Sequence, residues 1–224
     1  MKKSQLVIGI SLGVLVSAGL LILLKRLRLS GFKRNLISNA NKEWALWGKP
    51  LISQGEVQEK GEIECSNIYR ERVGEYWNKG VNIDKDGCSD TPWSSAFISF
   101  LMRKSGAGSE FPYTSAHNQY IRPFIQNRKT NNNSNFKAYK LEEKKPELGD
   151  LVCYARESGV DYDTTRAYKG HCDIVVDVNR NKRNIEVIGG NVNDGVTKRI
   201  LNIDQNGYLN DYNNEWFTII KNSK

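Results

Sequence analysis

The chain has few histidines, few cysteines and no cysteine pair with the spacing of a metal site. It contains two histidines, His117 and His171, and four cysteines that form no CxxC motif. These six residues lack the ligand spacing that is typical of zinc sites. The sequence therefore predicts neither a metal ion nor a cofactor.

An excess of basic charge is also missing from the main part of the chain. Seven of the 33 basic residues lie in the first 34 positions, where no acidic residue occurs, which leaves 26 basic against 25 acidic residues in positions 35–224. A nucleic-acid footprint would need basic residues in excess or clustered on one face. Nucleic acid is therefore not an expected partner.

Charged residues are absent from positions 6–24, LVIGISLGVLVSAGLLILL. As a helix, this segment is long enough to cross a hydrocarbon core of about 30 Å. The alternative is a cleaved signal peptide, but the apolar run exceeds the usual length of about 7–15 residues and no small-residue cleavage site follows it. We expect residues 1–34 to be a membrane anchor with basic flanks, in a single-pass membrane protein.

The orientation of the expected anchor is open. Basic residues flank the apolar run on both sides, with more of them after it, and the positive-inside rule then places the domain in the cytoplasm. A function at the cell wall requires the periplasmic or outer face, which we take as the expected side. The four cysteines leave the compartment open, because buried free thiols and disulfides are both consistent with their spacing.

Positions 35–224 are predicted to form one domain, with helices first and strands afterwards. Apolar residues at three-and-four spacing, with Ser or Thr as capping candidates, predict helices over 36–48, 66–79, 91–105 and 114–127, the last interrupted or ended near Pro123. Short β-rich runs predict strands in FKAYKL, DLVCYA, HCDIVVDV, NIEVIGG, VTKRILNI and WFTIIK. This order of elements predicts an α+β fold.

Residues 91–105, TPWSSAFISFLMRKS, have the form of a helix that carries a nucleophile at its start. Thr91 and Pro92 suit the N-cap and first helical positions, so Ser94 should lie in the first turn, near free backbone amides. A cysteine at this position would be activated as a thiolate. A serine hydroxyl needs a general base, so the sequence indicates either an altered hydrolase or one that has lost catalysis.

Four phrases, PWSSAF, GDLVCY, GHCDIVV and VIGGNV, together resemble the papain-like peptidoglycan hydrolases of the CHAP and NlpC type. The chain is more similar still to the uncharacterised bacterial family DUF 2272, which shares the phrases WSxAFISxxMRxxG, GDLVCY and IGGNV. The resemblance spans roughly residues 37–220. It implies helices packed on an antiparallel β-sheet and cleavage of amide bonds in peptidoglycan, either by an amidase or by a peptidase.

The resemblance assigns roles to three residues. Ser94 stands where the enzymes of this type have the catalytic cysteine, His171 stands at the position of the base, and Asn191 stands at the orienting position. Related enzymes often have an acidic residue two positions before that asparagine, and this chain has Gly189 there. Each assignment has a structural alternative: a hydroxyl that bonds the backbone for Ser94, a packed strand residue for His171 and a turn with positive φ for Asn191.

Three further residues are candidates from their positions in the sequence. Asp173 lies two residues after His171, on the same face of a strand, and can support it indirectly. His117 lies on a predicted helix, either facing the cleft or packed as a structural histidine. Trp93 is either a substrate-binding aromatic or part of the core.

We therefore expect a membrane-anchored hydrolase of peptidoglycan amide bonds in which His171 activates Ser94. The first alternative is a catalytically inactive domain that binds cell-wall peptide or a protein partner. The second is a structural module in which the shared phrases maintain only the fold. The expected partners are thus the membrane, through residues 6–24, and a peptidoglycan or peptide substrate.

Overall fold

The computed structural model describes residues 29–224, and within this range helices and strands form one α+β unit. In chain order the elements are α1 (Gly31–Leu46), β1 (Leu51–Ser53), β2 (Glu56–Glu59), α2 (Asn67–Val81), α3 (Ser94–Ser105), a 3₁₀ turn (Gly108–Glu110), α4 (Asn118–Lys129), β3 (Phe136–Tyr139), β4 (Leu151–Ala155), β5 (Gly170–Asn179), β6 (Asn184–Val192), β7 (Gly195–Asn202) and β8 (Glu215–Asn222). The predicted α+β class is confirmed. Each predicted helix and strand is present with shifted ends, and α4 continues through Pro123.

The strands form an eight-stranded sheet in the order β2-β1-β7-β6-β5-β4-β8-β3. Neighbouring strands are antiparallel except β1 and β7, which run parallel. The sheet is therefore mixed, which corrects the expected antiparallel sheet. The parallel pair arises because the short β1–β2 hairpin, which the sequence analysis did not predict, adds to the sheet beside β7.

The expected transmembrane helix is not found in the part of the chain that the structure describes. Among residues 29–224, no helix is long and apolar enough to cross a membrane. The described residues therefore do not support the membrane helix of the predicted fold or the single-pass membrane location. The predicted span itself, residues 6–24, lies outside the described residues.

Two hydrophobic clusters cover the two faces of the sheet. The larger contains buried residues of all four helices together with alternate strand residues such as Cys172 and Ile174. The smaller contains Val175, Val187 and Trp216. Side chains alternate between faces along a strand, so the helices cover one face of the sheet and β5 sends every second side chain to the other.

The β1–β2 turn lies close to the segment before β8. A Cβ atom built on Gly55, in this turn, would lie 2.9 Å from Oδ1 of Asn213, although four strands separate β1 from β8 in the sheet. The β7–β8 connection folds back on the end of β7, where the Asn210 N–H donates to the Asn202 carbonyl, and β7 is the neighbour of β1. This connection therefore brings Asn213 to the β1–β2 turn.

All four cysteines form disulfides, which decides between the two alternatives that the sequence left open. Cys65 is bonded to Cys88, and Cys153 is bonded to Cys172. The second bond joins residues that lie directly opposite each other on β4 and β5. Oxidised cysteines of this kind are typical of proteins that fold in an oxidising compartment.

Candidate functional site

Ser94 and His117 form a buried hydrogen-bonded pair. Ser94 is the first residue of α3, and His117 directly precedes α4. The Ser94 Oγ lies 2.7 Å from Nε2 of His117, and the other ring nitrogen, Nδ1, contacts the Tyr120 hydroxyl. Ser94 is 3% exposed and His117 is 4% exposed. The structure therefore gives Ser94 a histidine partner, but a different one from the predicted His171.

His171 lies beside this pair, with its ring centroid 5.4 Å from that of His117. Its Nε2 lies 2.8 Å from Oδ1 of Asp173, and its Nδ1 lies 2.7 Å from Nη2 of Arg156. Carboxylates only accept hydrogen bonds and guanidinium groups only donate them, so Nε2 carries the proton and Nδ1 accepts. Both ring nitrogens of His171 are engaged, and neither is free to take a proton from Ser94 in this arrangement.

Asp173 connects His171 to a buried arginine. Its Oδ2 accepts hydrogen bonds from Nε of Arg199, at 3.0 Å, and from Nη2 of the same residue. The Arg199 guanidinium also lies over the rings of Tyr154 and Trp216, 5.0 and 5.2 Å from their centroids. Burial alone would raise the pKa of Asp173, but the charges and hydrogen bonds of Arg199 and His171 outweigh it and lower the pKa to about 2. Asp173 is therefore a charged carboxylate at neutral pH, held directly against His171.

Both histidines are neutral at physiological pH. Burial lowers the pKa of His171 to about 4, against the opposing effect of Asp173. Burial also lowers the pKa of His117 to well below its usual range, and the nearby His171 and Arg156 act in the same direction. Neutral imidazole is the form that can accept a proton from a hydroxyl group.

We expect the protein to lose stability as the pH falls from about 6.5 to about 4. Over this range an unfolded histidine, with an ordinary pKa of about 6.5, binds a proton that folded His171 does not, so acid favours the unfolded state. The contribution of neutral His171 to the stability of the fold is fully present above about pH 6.5. Thermal unfolding midpoints at pH 7, 6 and 5 measure the effect, and His171→Gln should flatten the profile. A midpoint that stays level or rises from pH 7 to pH 5 would contradict this assignment.

The other two predicted residues have backbone and packing roles in the structure. Asn191 has a φ of 55°, in the left-handed region that asparagine tolerates, and its carbonyl oxygen accepts a hydrogen bond from Nη2 of Arg156 at 3.2 Å. Trp93 is 1% exposed; it stacks on Trp47 and donates from its indole nitrogen to Glu64. Trp93 is thus a core residue in this conformation.

Sequence reasoning missed most of the contacts around the two histidines. It named His117 without pairing it with Ser94, and it named neither Tyr120 nor the two arginines. The three-residue spacing from His117 to Tyr120 across a helix start is a usable signal, because such residues share a helix face. Arg199 gave no such signal, since its contact with Asp173 depends on the order of the strands.

Residues 64–220 match the bacterial family described as "Uncharacterized protein conserved in bacteria (DUF2272)". The chain belongs to this family. The DUF2272 match includes α2, α3, α4, strands β3 to β7 and most of β8, and therefore both histidines, Ser94 and Asp173. The comparisons with curated proteins and with solved structures gave no match.

Proposed function

We propose that this DUF2272 protein is a serine-dependent hydrolase of amide bonds, with Ser94 as nucleophile and His117 as general base. The observation that carries the proposal is the 2.7 Å contact between the Ser94 hydroxyl and Nε2 of His117. A hydroxyl nucleophile within hydrogen-bond distance of a neutral base, which is itself oriented by a third group, is the usual arrangement in nucleophilic catalysis. Here the third group is the Tyr120 hydroxyl.

In the proposed reaction, the Ser94 oxygen attacks the carbonyl carbon of the amide while His117 takes the hydroxyl proton. The free backbone N–H groups in the first turn of α3 stabilise the resulting oxyanion. His117 then passes its proton to the departing nitrogen, the C–N bond breaks and the amine leaves. Water, deprotonated by His117, hydrolyses the acyl-serine and regenerates the hydroxyl group.

Two neighbours support the base in this role. For Nε2 of His117 to accept the Ser94 proton, Nδ1 must carry the other proton and donate it to the Tyr120 oxygen. Burial raises the pKa of Tyr120 well above 10, so the phenol stays neutral and available as an acceptor. The Asp173 carboxylate favours the protonated form of His117, which is the form that the first step creates.

We further propose that the amide lies in peptidoglycan, so that the protein is a peptidoglycan amidase or peptidase. The support is the likeness of PWSSAF, GDLVCY and GHCDIVV to the CHAP and NlpC hydrolases, which use a cysteine at the position of Ser94. The two disulfides add to this support, because they are typical of proteins that work outside the reducing cytoplasm. The cell wall also lies outside the cytoplasm.

The burial of the pair favours a second candidate function. Ser94 and His117 are almost inaccessible in this conformation, and a substrate carbonyl must come within about 3.5 Å of the nucleophile to react. A domain that retains the fold without catalysis, and binds cell-wall peptide or a protein partner, needs no such access. Catalysis instead requires the surroundings of Ser94 to open.

The test is the release of soluble fragments from purified peptidoglycan by the full-length chain, followed by mass spectrometry. We expect Ser94→Ala to lower release at least 100-fold, since both the nucleophile and its activation by His117 are lost. Ser95→Ala is the matched control. Ser95 donates to the Thr114 carbonyl, which Ser99 also contacts, so its loss should change activity less than threefold.

Two further variants separate the candidate functions. His117→Gln should match the loss in Ser94→Ala, because residues that act as one unit give similar single losses. Activity that survives in both variants would refute the proposed pair. Silence in the unmodified chain together with activity in Ser94→Cys would instead support the inactive binding domain.

A further inference from the structure

A polar pocket lies beside Arg156, whose guanidinium group contacts His171. Its volume is about 310 Å³, at the lower end of the range for small-ligand sites. The tip of the β1–β2 hairpin and the segment before β8 form two of its walls, where Gly55 and Asn213 approach each other.

The lining of this pocket combines positive charge with side-chain amides. Two arginines, Arg156 and Arg199, line it together with four asparagines, and no acidic side chain is part of the lining. The asparagines are Asn191, Asn193, Asn213 and Asn214. Asp173 neutralises Arg199 by an ion pair. The charge of Arg156 therefore has no compensating carboxylate in the wall of the pocket.

The guanidinium group of Arg156 has N–H donors beyond those that contact the protein. Its Nη2 contacts Nδ1 of His171 and the carbonyl oxygen of Asn191, and neither contact removes the charge. A guanidinium group has five N–H donors in a planar fork that fits a carboxylate. Asparagine amides both donate and accept, which matches the N–H and C=O groups of a peptide backbone.

We propose that this pocket binds a short peptide through a free carboxylate, with Arg156 as the ion-pair partner and the asparagine amides as partners of the peptide backbone. Binding requires no catalysis by Ser94, so the site stands independently of the proposed hydrolase. If both exist, the contact of Arg156 with His171 connects the pocket to the histidine beside the Ser94–His117 pair.

The test is a titration of the full-length chain with N-acetyl-Ala-Ala, which has a free carboxylate, followed by NMR or calorimetry. The matched probe is the same dipeptide with a C-terminal amide. We expect the carboxylate form to bind at least tenfold more tightly, because a charge-assisted bidentate pair is lost in the amide. Equal affinity for the two probes, or no binding of either at about 20 mM, would overturn the proposal.

Three variants locate the site. Arg156→Gln should weaken binding of the carboxylate form at least tenfold, and Arg156→Lys should weaken it less, since lysine keeps the charge without the planar fork. Arg166→Gln is the matched control: Arg166 is exposed, pairs with Glu157 and does not line the pocket, so affinity should stay within twofold. Loss of affinity in the Arg166 variant equal to that in Arg156→Gln would refute the assignment.

Two further measurements distinguish this peptide site from the Ser94–His117 pair and from a phosphate site. Ser94→Ala should bind the dipeptide as the unmodified chain does, so a failure of the hydrolase proposal leaves this result unchanged. Inorganic phosphate is the competing anion. If phosphate binds to the Arg156 site at least tenfold more tightly than the carboxylate dipeptide, the pocket is a phosphate site and the peptide proposal is wrong.

Discussion

Replacement of Asp173 by alanine should lower the free energy of unfolding by about 3–5 kcal/mol. The carboxylate is fully buried and accepts hydrogen bonds from His171 and Arg199. Its removal leaves the guanidinium of Arg199, which is 6% exposed, as an uncompensated charge in the interior. An unpaired buried charge is among the few defects that destabilise a domain this strongly. Chemical denaturation of the full-length chain measures the loss.

The matched control is Asp163→Ala. Asp163 also contacts two cations, Lys129 at 2.8 Å and Lys140 at 3.4 Å, but its side chain is 56% exposed. Exposed ion pairs contribute little to stability, so this variant should unfold at nearly the same denaturant concentration as the unmodified chain. Similar losses of stability in Asp173→Ala and Asp163→Ala would show that the buried Asp173 ion pair contributes no more to stability than an exposed pair.

Gly189→Ala should lower the free energy of unfolding by about 3 kcal/mol or more, which is similar to the effect expected for Asp173→Ala. A Cβ atom on Gly189 would lie 1.9 Å from Oδ1 of Asp173 and 2.9 Å from Nε2 of His171. Both atoms are fixed by their hydrogen bonds, so Gly189→Ala must displace the carboxylate, and its effect combines overpacking with a broken ion pair. The measurement is again denaturant unfolding.

A double variant provides the sharper test of this mechanism. When alanine replaces Asp173, the closest atom to the new methyl group is gone, so Gly189→Ala should cost at least about 1 kcal/mol less in that background than alone. Gly31→Ala is the control for the loss of glycine. A Cβ there meets its nearest atom at 3.9 Å, at the start of α1, and the change should be neutral or stabilising. Strict additivity of the 173 and 189 variants would refute the proposed clash.

Local patterns were sufficient to predict most of the elements. The three-and-four spacing of apolar residues found all four helices, because helix packing repeats in sequence. Alternating or continuous apolar runs found β3 to β8. The β1–β2 hairpin escaped because β1 has three residues and β2 is fully exposed. A strand without a buried face leaves no hydrophobic pattern to detect.

The composition of the site depended on tertiary geometry and was harder to predict. The resemblance pointed to His171 as the partner of Ser94, yet Ser94 contacts His117, from a helix start 23 positions away. The resemblance also drew attention to the missing acidic residue at position 189. In the structure, the Asp173 carboxylate occupies the space that a side chain at position 189 would need. A carboxylate on β5 thus fills the place of a side chain on β6. This exchange cannot be predicted from the sequence without the register of the two strands.

The Cys153–Cys172 disulfide has a further consequence for the candidate site. A shift of one residue between two strands moves every side chain of the slipped strand to the opposite face. Such a shift of β5 would turn His171 and Asp173 toward the helices and away from Arg199. The covalent bond between directly opposed residues of β4 and β5 prevents it. The disulfide therefore acts as a lock on strand register, which fixes the face of the sheet that carries the ionisable groups.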